Sequence, residues 1–151
     1  MSELEKNYLI ELLFQLKRTK KTLEYSYEVC KKFGEKDFYT QEEEDRFEAF
    51  TSKFARLSDL ILKKAIKTIN ILDLDEPAKT MRDAIARAEK KGLIAEEFKF
   101  IEIIKKRNEI AHEYIANEEE LINIYKYVLN NCQYLFDSVN KIENYTQKFL
   151  D

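Results

Sequence analysis

Hydrophobic residues recur at three- and four-residue steps along most of this chain, which is the periodicity of amphipathic α-helices. At the start, Ser2 and Glu5 have the spacing of a capping box, and Gly34 is a residue that favours the left-handed stop after a helix. We therefore predict a first helix over residues 3–33. Its core-facing stripe is Leu9, Leu12, Leu13, Leu16, Leu23, Tyr27 and Cys30.

The second apolar stripe predicts a helix that continues to about residue 72. Thr40 and Glu43 again have capping-box spacing, and several acidic residues follow, where they complement the helix dipole. The core-facing positions are Phe47, Phe50, Phe54, Leu57, Ile61, Leu62, Ala65 and Ile66.

Three further helices are expected in the rest of the chain. Pro77 and Gly92 bracket a short third helix over about residues 78–91. The fourth contains Phe98, Ile101, Ile103, Ile104, Ile110 and Ala111. Asn117 and Glu120 begin the fifth, with the stripe Leu121, Ile124, Val128, Cys132, Leu135, Val139 and Ile142. The expected fold is all-α: a single domain, residues 1–151, forming an up-and-down antiparallel bundle of four to five helices.

Composition supports long helices and a soluble, cytoplasmic protein. Only two glycines and one proline interrupt 151 residues, and no apolar stretch is long enough for a membrane span. The net charge of −3 argues against a protein that coats nucleic acid by bulk attraction, but not against an enzyme with one small RNA site. Cys30 and Cys132 lack metal-site spacing and read as small core hydrophobes, and we expect no cofactor or metal.

One segment has the residues for chemistry. On an ideal helical wheel, Arg107 falls in the middle of the apolar stripe of its own helix. A guanidinium there must be paired or must bind an anion, because an isolated buried charge is very costly. His112, the only histidine, falls about 140° from Arg107, so the two side chains would converge only through a bend near Ala111 or across an interface with a second copy.

Position alone leaves a plainer interpretation open. Arg107 would then be paired with a core glutamate, and His112 would form a structural hydrogen bond without chemistry.

The sequence around these residues resembles the motif of the HEPN family. The string RNEIAHEY, residues 107–114, has the Arg, the Asn directly after it, the His five positions on and the Tyr two positions further. Residues 81–94, 46–47 and 53–57 are also similar to one HEPN subgroup, so the resemblance covers about residues 46–114. It implies a helical bundle that forms a homodimer, with both copies of the motif lining one cleft.

Many members of that family are metal-independent ribonucleases, and the resemblance implies roles for three residues. Arg107 would hold the scissile phosphate and stabilise its developing charge. His112 would act as general base or acid, which suits an ordinary pKa near ~6.5. Asn108 would be a polar orienting group. RNA would be the substrate, and neither DNA nor a membrane is an expected partner.

The resemblance also implies a regulator. HEPN proteins with this tyrosine are commonly the toxin of a toxin–antitoxin pair whose antitoxin, a minimal nucleotidyltransferase, transfers AMP to the motif tyrosine. Tyr114 occupies that position and falls about 20° from Arg107 on the wheel, about 10 Å along the helix axis. The alternatives are a non-catalytic subunit that presents nucleotide or substrate to the transferase, and an interaction protein without a site. A full set of intrachain partners for Arg107 would favour the last.

Overall fold

The protein is an all-α helical bundle. The computed structural model describes the backbone of residues 1–112 and 117–151, and the side chains of the same residues except residue 112. The described helices are α1 Glu3–Phe33, α2 Gln41–Asp59, α3 Lys67–Leu72, α4 Met81–Lys90, α5 Glu97–His112 and α6 Glu118–Leu150. A π-helical segment, Leu60–Ile66, joins α2 to α3 without a break. No strand occurs in the described part of the chain.

The two longest helices, α1 and α6, run antiparallel. Lys17 Nζ lies 3.8 Å from Glu143 Oε2, and one turn further along α1 Lys20 Nζ donates to Asn140 Oδ1 at 2.9 Å. The partner numbers fall as the α1 numbers rise, so the helices point in opposite directions. One hydrophobic cluster, made of residues from Leu9 on α1 to Ile142 on α6, forms the core between the helices.

Capping residues define the helix ends that the sequence predicted. Glu5 N donates to Ser2 Oγ at 3.1 Å, and Thr40 and Glu43 form a complete capping box. Asn117 Oδ1 accepts from Glu120 N at 2.9 Å at the start of α6. Gly34 follows α1 at φ 71°, a backbone angle that glycine adopts without strain. The predicted bounds of α1, and the predicted starts of α2 and α6, are confirmed.

Phe98 and Ala111 are helical, as predicted for the fourth helix, but neither lies in the core. Phe98 is 66% exposed, whereas Phe100 is fully buried and stacks on Tyr134 with 6.2 Å between ring centroids. The two phenylalanines are about 200° apart on a helix, so only one can face the core. Ala111, also assigned to the stripe, is exposed.

The start of α4, which the sequence predicted as a short third helix over about residues 78–91, is a further difference. It begins at Met81, because the Thr80 hydroxyl accepts from Asp83 N at 3.1 Å, and not near Ala78 as Pro77 suggested.

The π-helical segment was not predicted. It spans seven residues, whereas π-helices are rare and appear mostly as single turns, frequently at functional sites. Its first residue, Leu60, follows Asp59 directly, and its exposed side includes Lys63 and Lys64. The feature therefore lies beside the candidate site described below.

A partly buried charge cluster ties the end of α3 to α4 and α6. Lys91 Nζ contacts Asp73 Oδ2 at 2.7 Å and also pairs with Asp75, while the Tyr145 hydroxyl donates to Asp73 and Lys148 Nζ lies 3.3 Å from its other oxygen. Partial burial acts to raise the pKa of Asp73, but the hydrogen bonds from Lys91 and Tyr145 outweigh it and hold that pKa below its usual range.

We expect Asp73→Asn to destabilise the fold at neutral pH by about 1–3 kcal/mol, since it removes a charge that bonds two cations. A carboxyl with a depressed folded pKa stabilises the protein above its unfolded pKa near ~3.9, and that contribution is lost as pH falls through the folded pKa. The difference in the free energy of unfolding between the wild type and Asp73→Asn should therefore become smaller in acid. Urea unfolding followed by circular dichroism, from neutral pH to about pH 3, measures it.

Asp137→Asn is the matched control, because Asp137 is exposed and its one side-chain bond to a described residue is with Gln133. It should change the free energy of unfolding little at any pH. If Asp73→Asn lowered the free energy of unfolding as much in acid as at neutral pH, the stabilising role of the Asp73 charge would be contradicted.

Both cysteines are free and buried, as the sequence suggested. Burial raises the pKa of the Cys30 thiol to about 11 and that of Cys132 to about 12. At neutral pH both thiols are therefore protonated and weakly nucleophilic. Among the described helices, none combines the length and the apolar character that crossing a membrane requires.

Candidate functional site

Arg107 lies on α5 where the helix packs against α2. Ile103 and Ile104, one turn before it, are buried, and the Arg107 side chain is only 19% exposed. The sequence placed this cation in an apolar stripe, and the structure agrees. A guanidinium in such surroundings needs partners, and the structure provides a specific one.

The partner of Arg107 is Asp59, the last residue of α2. Arg107 Nη2 bonds the Asp59 carboxylate, which is 27% exposed. Lys63 Nζ lies 3.7 Å from the other Asp59 oxygen. The Asp59 carboxylate thus contacts two cations, and the three side chains together have a net charge of +1.

The remaining nitrogens of Arg107 differ in their bonding. Nη1 donates to Asn108 Oδ1 at 3.2 Å. Nε is buried and has no hydrogen-bond partner among the described residues. A buried donor without an acceptor is uncommon and costs about 1–3 kcal/mol, so it suits a position where a ligand supplies the acceptor. Among the described residues, Arg107 therefore lacks one of the intrachain partners that a purely structural role would give it.

Contacts with α6 hold α5 in place around this site. The Tyr127 hydroxyl donates to Glu102 Oε2 at 2.9 Å, and Lys106 Nζ lies 5.4 Å from the centre of the Tyr127 ring. The pKa of Glu102 is lowered, chiefly by a hydrogen bond from Lys99 and next by the one from Tyr127. The pKa of Tyr127 is raised, chiefly by burial and next by its hydrogen bond to Glu102. Glu102 therefore stays ionised and Tyr127 neutral, which keeps this contact intact across the physiological range.

The start of α5 is held too. The Tyr134 hydroxyl donates to the Glu96 carbonyl at 2.6 Å, and Glu97 N donates to Glu89 Oε2 at 2.7 Å. Because α5 is held at its start and along its length, the position of Arg107 is set by the fold and not by a mobile loop.

The structure brings together some of the predicted site residues and leaves others undescribed. Arg107 and Asn108 are in direct contact. The α-helix runs unbroken through Ala111 and is described as far as His112, whose side chain lies outside the described residues. Tyr114 also lies outside them. The predicted roles of His112 and Tyr114 therefore stay predictions.

Asp59 is the site residue that the sequence did not reveal. The plainer interpretation of Arg107 assumed a core glutamate, and the partner is an aspartate 48 positions away on another helix. No local spacing links the two. The only sequence signal for the pair was indirect: a cation in an apolar stripe requires a carboxylate or an anion.

Within the part of the chain that the structure describes, no group of three His, Cys, Asp or Glu side chains has the geometry to hold a metal ion. No family model and no curated protein matches this sequence.

Proposed function

We propose that this protein is a metal-independent endoribonuclease of the HEPN type and the toxin of a toxin–antitoxin pair. The observation that carries the proposal is the Arg107 guanidinium. It is mostly enclosed and anchored through Asp59, and its Nε has no acceptor among the residues that the structure describes. It precedes the only histidine in the chain by five residues, in the string RNEIAHEY.

The proposed reaction is a transesterification within the RNA. His112 removes the proton from a ribose 2′-hydroxyl, and the 2′-oxygen attacks the adjacent phosphorus. The bond from phosphorus to the 5′-oxygen breaks, and His112 gives the proton it took up to that leaving oxygen. The products are a 2′,3′-cyclic phosphate and a free 5′-hydroxyl. Arg107 stabilises the charge that develops on the phosphate, and Asn108 orients Nη1.

The proposal includes a homodimer. On an ideal helix Arg107 and His112 point in directions about 140° apart, so one copy of α5 alone does not aim both at the same phosphate. A two-fold dimer places the Arg107 of one copy opposite the His112 of the other, which completes two equivalent sites in one cleft.

We expect RNA cleavage by the purified protein to survive EDTA and to leave 2′,3′-cyclic phosphate ends. The reason is that the proposed reaction uses an imidazole and a guanidinium as its acid–base group and its cation. Labelled single-stranded RNA, incubated with and without chelator and analysed by gel and by phosphatase sensitivity of the ends, measures both properties.

Cleavage that EDTA abolishes and magnesium restores would overturn this mechanism. Absence of cleavage together with saturable binding of nucleotide would favour the second candidate, a non-catalytic subunit of a minimal nucleotidyltransferase. One observation supports that candidate equally: the Arg107 Nε has no acceptor among the described residues, and such a donor binds a phosphate whether or not cleavage follows.

A further inference from the structure

A groove runs along α1 beside the continuous helix formed by α2, the π-helical segment and α3. It consists of two adjoining cavities of about 390 and 440 Å³, which share Lys63 and Lys64 as lining residues. We call it the basic groove, after the cations that line it: Arg18, Arg56, Lys63, Lys64 and Lys67. Only two acidic residues line it, Glu5 and Asp59.

The cations of the basic groove are accessible and mostly unpaired. All five are exposed. Lys63 forms an ion pair with Asp59 at 3.7 Å. The other four cations form no ion pair within residues 1–112 and 117–151. Unpaired cations gathered on one face are unusual in a protein whose net charge is −3, because their mutual repulsion is not offset locally. The groove therefore has the electrostatic character of a surface that binds an anionic chain.

The basic groove leads to the candidate site. Asp59, which bonds Arg107, is itself a lining residue of the groove. The π-helical segment that begins at the next residue contributes Lys63 and Lys64 to the junction of the two cavities. A strand of phosphates along the groove thus comes, at one end, to Asp59, the residue that bonds the Arg107 guanidinium.

We propose that the basic groove binds the backbone of single-stranded RNA and guides it to Arg107. This rests on the proposed ribonuclease function for the identity of the ligand, although the groove itself is independent of the motif. Its lining extends along α1 from Leu4 to Arg18, about 21 Å of helix axis, which matches about six nucleotides at the rise of a stacked strand.

The end of the groove far from Arg107 is suited to a base. Leu4 and Tyr8 line it and are exposed, Tyr8 at 51%. An exposed aromatic ring beside cations provides the stacking surface that single-strand binders use, and it accepts any base because every base has a π-face.

The test measures binding separately from cleavage. The probe is a fluorescein-labelled single strand of about twelve nucleotides with 2′-O-methyl riboses, which lack the attacking hydroxyl. The charge variant has Arg56→Gln, Lys64→Gln and Lys67→Gln together. Fluorescence anisotropy from about 50 to 200 mM salt should show affinity lowered at least tenfold, and a log–log salt slope reduced by about 2, since each lost contact contributes about 0.7 for single strands.

The matched control neutralises three other exposed lysines, Lys32→Gln, Lys79→Gln and Lys90→Gln. The net charge changes equally, but none of these residues lines the groove. The control should keep the wild-type slope. Tyr8→Ala should lower affinity about fivefold or more with the slope unchanged, because stacking is not a charge contact.

Each outcome decides something specific. Equal slopes for the wild type, the charge variant and the control would overturn the basic groove as the RNA site, even if the protein cleaves RNA. So would wild-type affinity for poly-glutamate equal to that for RNA, which would assign the groove to an acidic protein. A lowered slope in the charge variant alone, in a protein that cleaves no RNA, would support the groove and refute the ribonuclease.

Discussion

RNA cleavage should fall about 10²–10⁴-fold in His112→Ala, the usual cost of losing one positioned acid–base group. His112 is the only histidine in the chain, so no other imidazole can take over its proton transfer near neutral pH. The helical fold should persist, since α5 is held by the contacts of Arg107, Tyr127 and Tyr134 with neighbouring elements. Single-turnover cleavage of a labelled RNA measures the rate, and circular dichroism measures the helix content.

Arg107→Ala should lose cleavage as well, but it also breaks the contact between α5 and α2. Asp59→Asn separates the two effects, because the amide oxygen still accepts from Nη2 while the ion pair is lost. We expect Asp59→Asn to lose some stability and to keep most of its cleavage. If Asp59→Asn were as inactive as Arg107→Ala, the loss in Arg107→Ala would reflect the broken contact and not a missing phosphate ligand.

Mixing the two inactive proteins tests the shared cleft. In a heterodimer of His112→Ala and Arg107→Ala, one site has both residues and the other has neither. With random pairing about a quarter of wild-type activity should return. If both residues of a site came from the same copy, every heterodimer site would lack one residue. No recovery in a mixture shown by light scattering to be dimeric would therefore contradict the two-copy site.

Tyr114→Phe should remain active but escape neutralisation by a partner nucleotidyltransferase. On an ideal helical wheel Tyr114 shares a face with Arg107, so AMP attached to its oxygen would bring an anionic phosphate toward the guanidinium and compete with RNA for it. Modified wild-type protein should therefore lose all measurable cleavage. Coexpression with the transferase, followed by intact-mass analysis and peptide mapping, measures the gain of one adenylyl group and its position.

Tyr25→Phe is a suitable control, since Tyr25 is 64% exposed and lies outside both the motif and the lining of the basic groove. It should be modified and silenced like the wild type. Mapping of the added mass to another tyrosine, or silencing of Tyr114→Phe, would show that the switch is wrong while leaving the ribonuclease proposal in place.

Local signals predicted the helices well because the physics that ends a helix is local. Ser2, Gly34 and Thr40 each act within one turn of the chain, and each prediction based on them is confirmed. The π-helical segment was not predicted because its local pattern looks like that of an α-helix. Apolar residues continue through it at three- and four-residue steps, as in Leu57, Ile61 and Ala65, and that pattern does not distinguish an α-helix from a π-helix.

Long-range partners were beyond the reach of periodicity. The sequence showed that Arg107 needs an anion, but Asp59 lies on a different helix, and only the packing of α5 against α2 brings the two together. The basic groove is similar. Arg18 and Lys67 are far apart in the chain, and a net charge of −3 gives no hint that they share a surface.

The two buried thiols make the chain convenient for site-directed labelling. Cys30 and Cys132 are shielded, and their raised pKa values leave almost no thiolate at neutral pH. A cysteine introduced at an exposed position such as Lys105 would react with a maleimide spin label far faster than either native thiol. Distances between labels on two copies of α5 are thus accessible in the protein without first replacing its own cysteines.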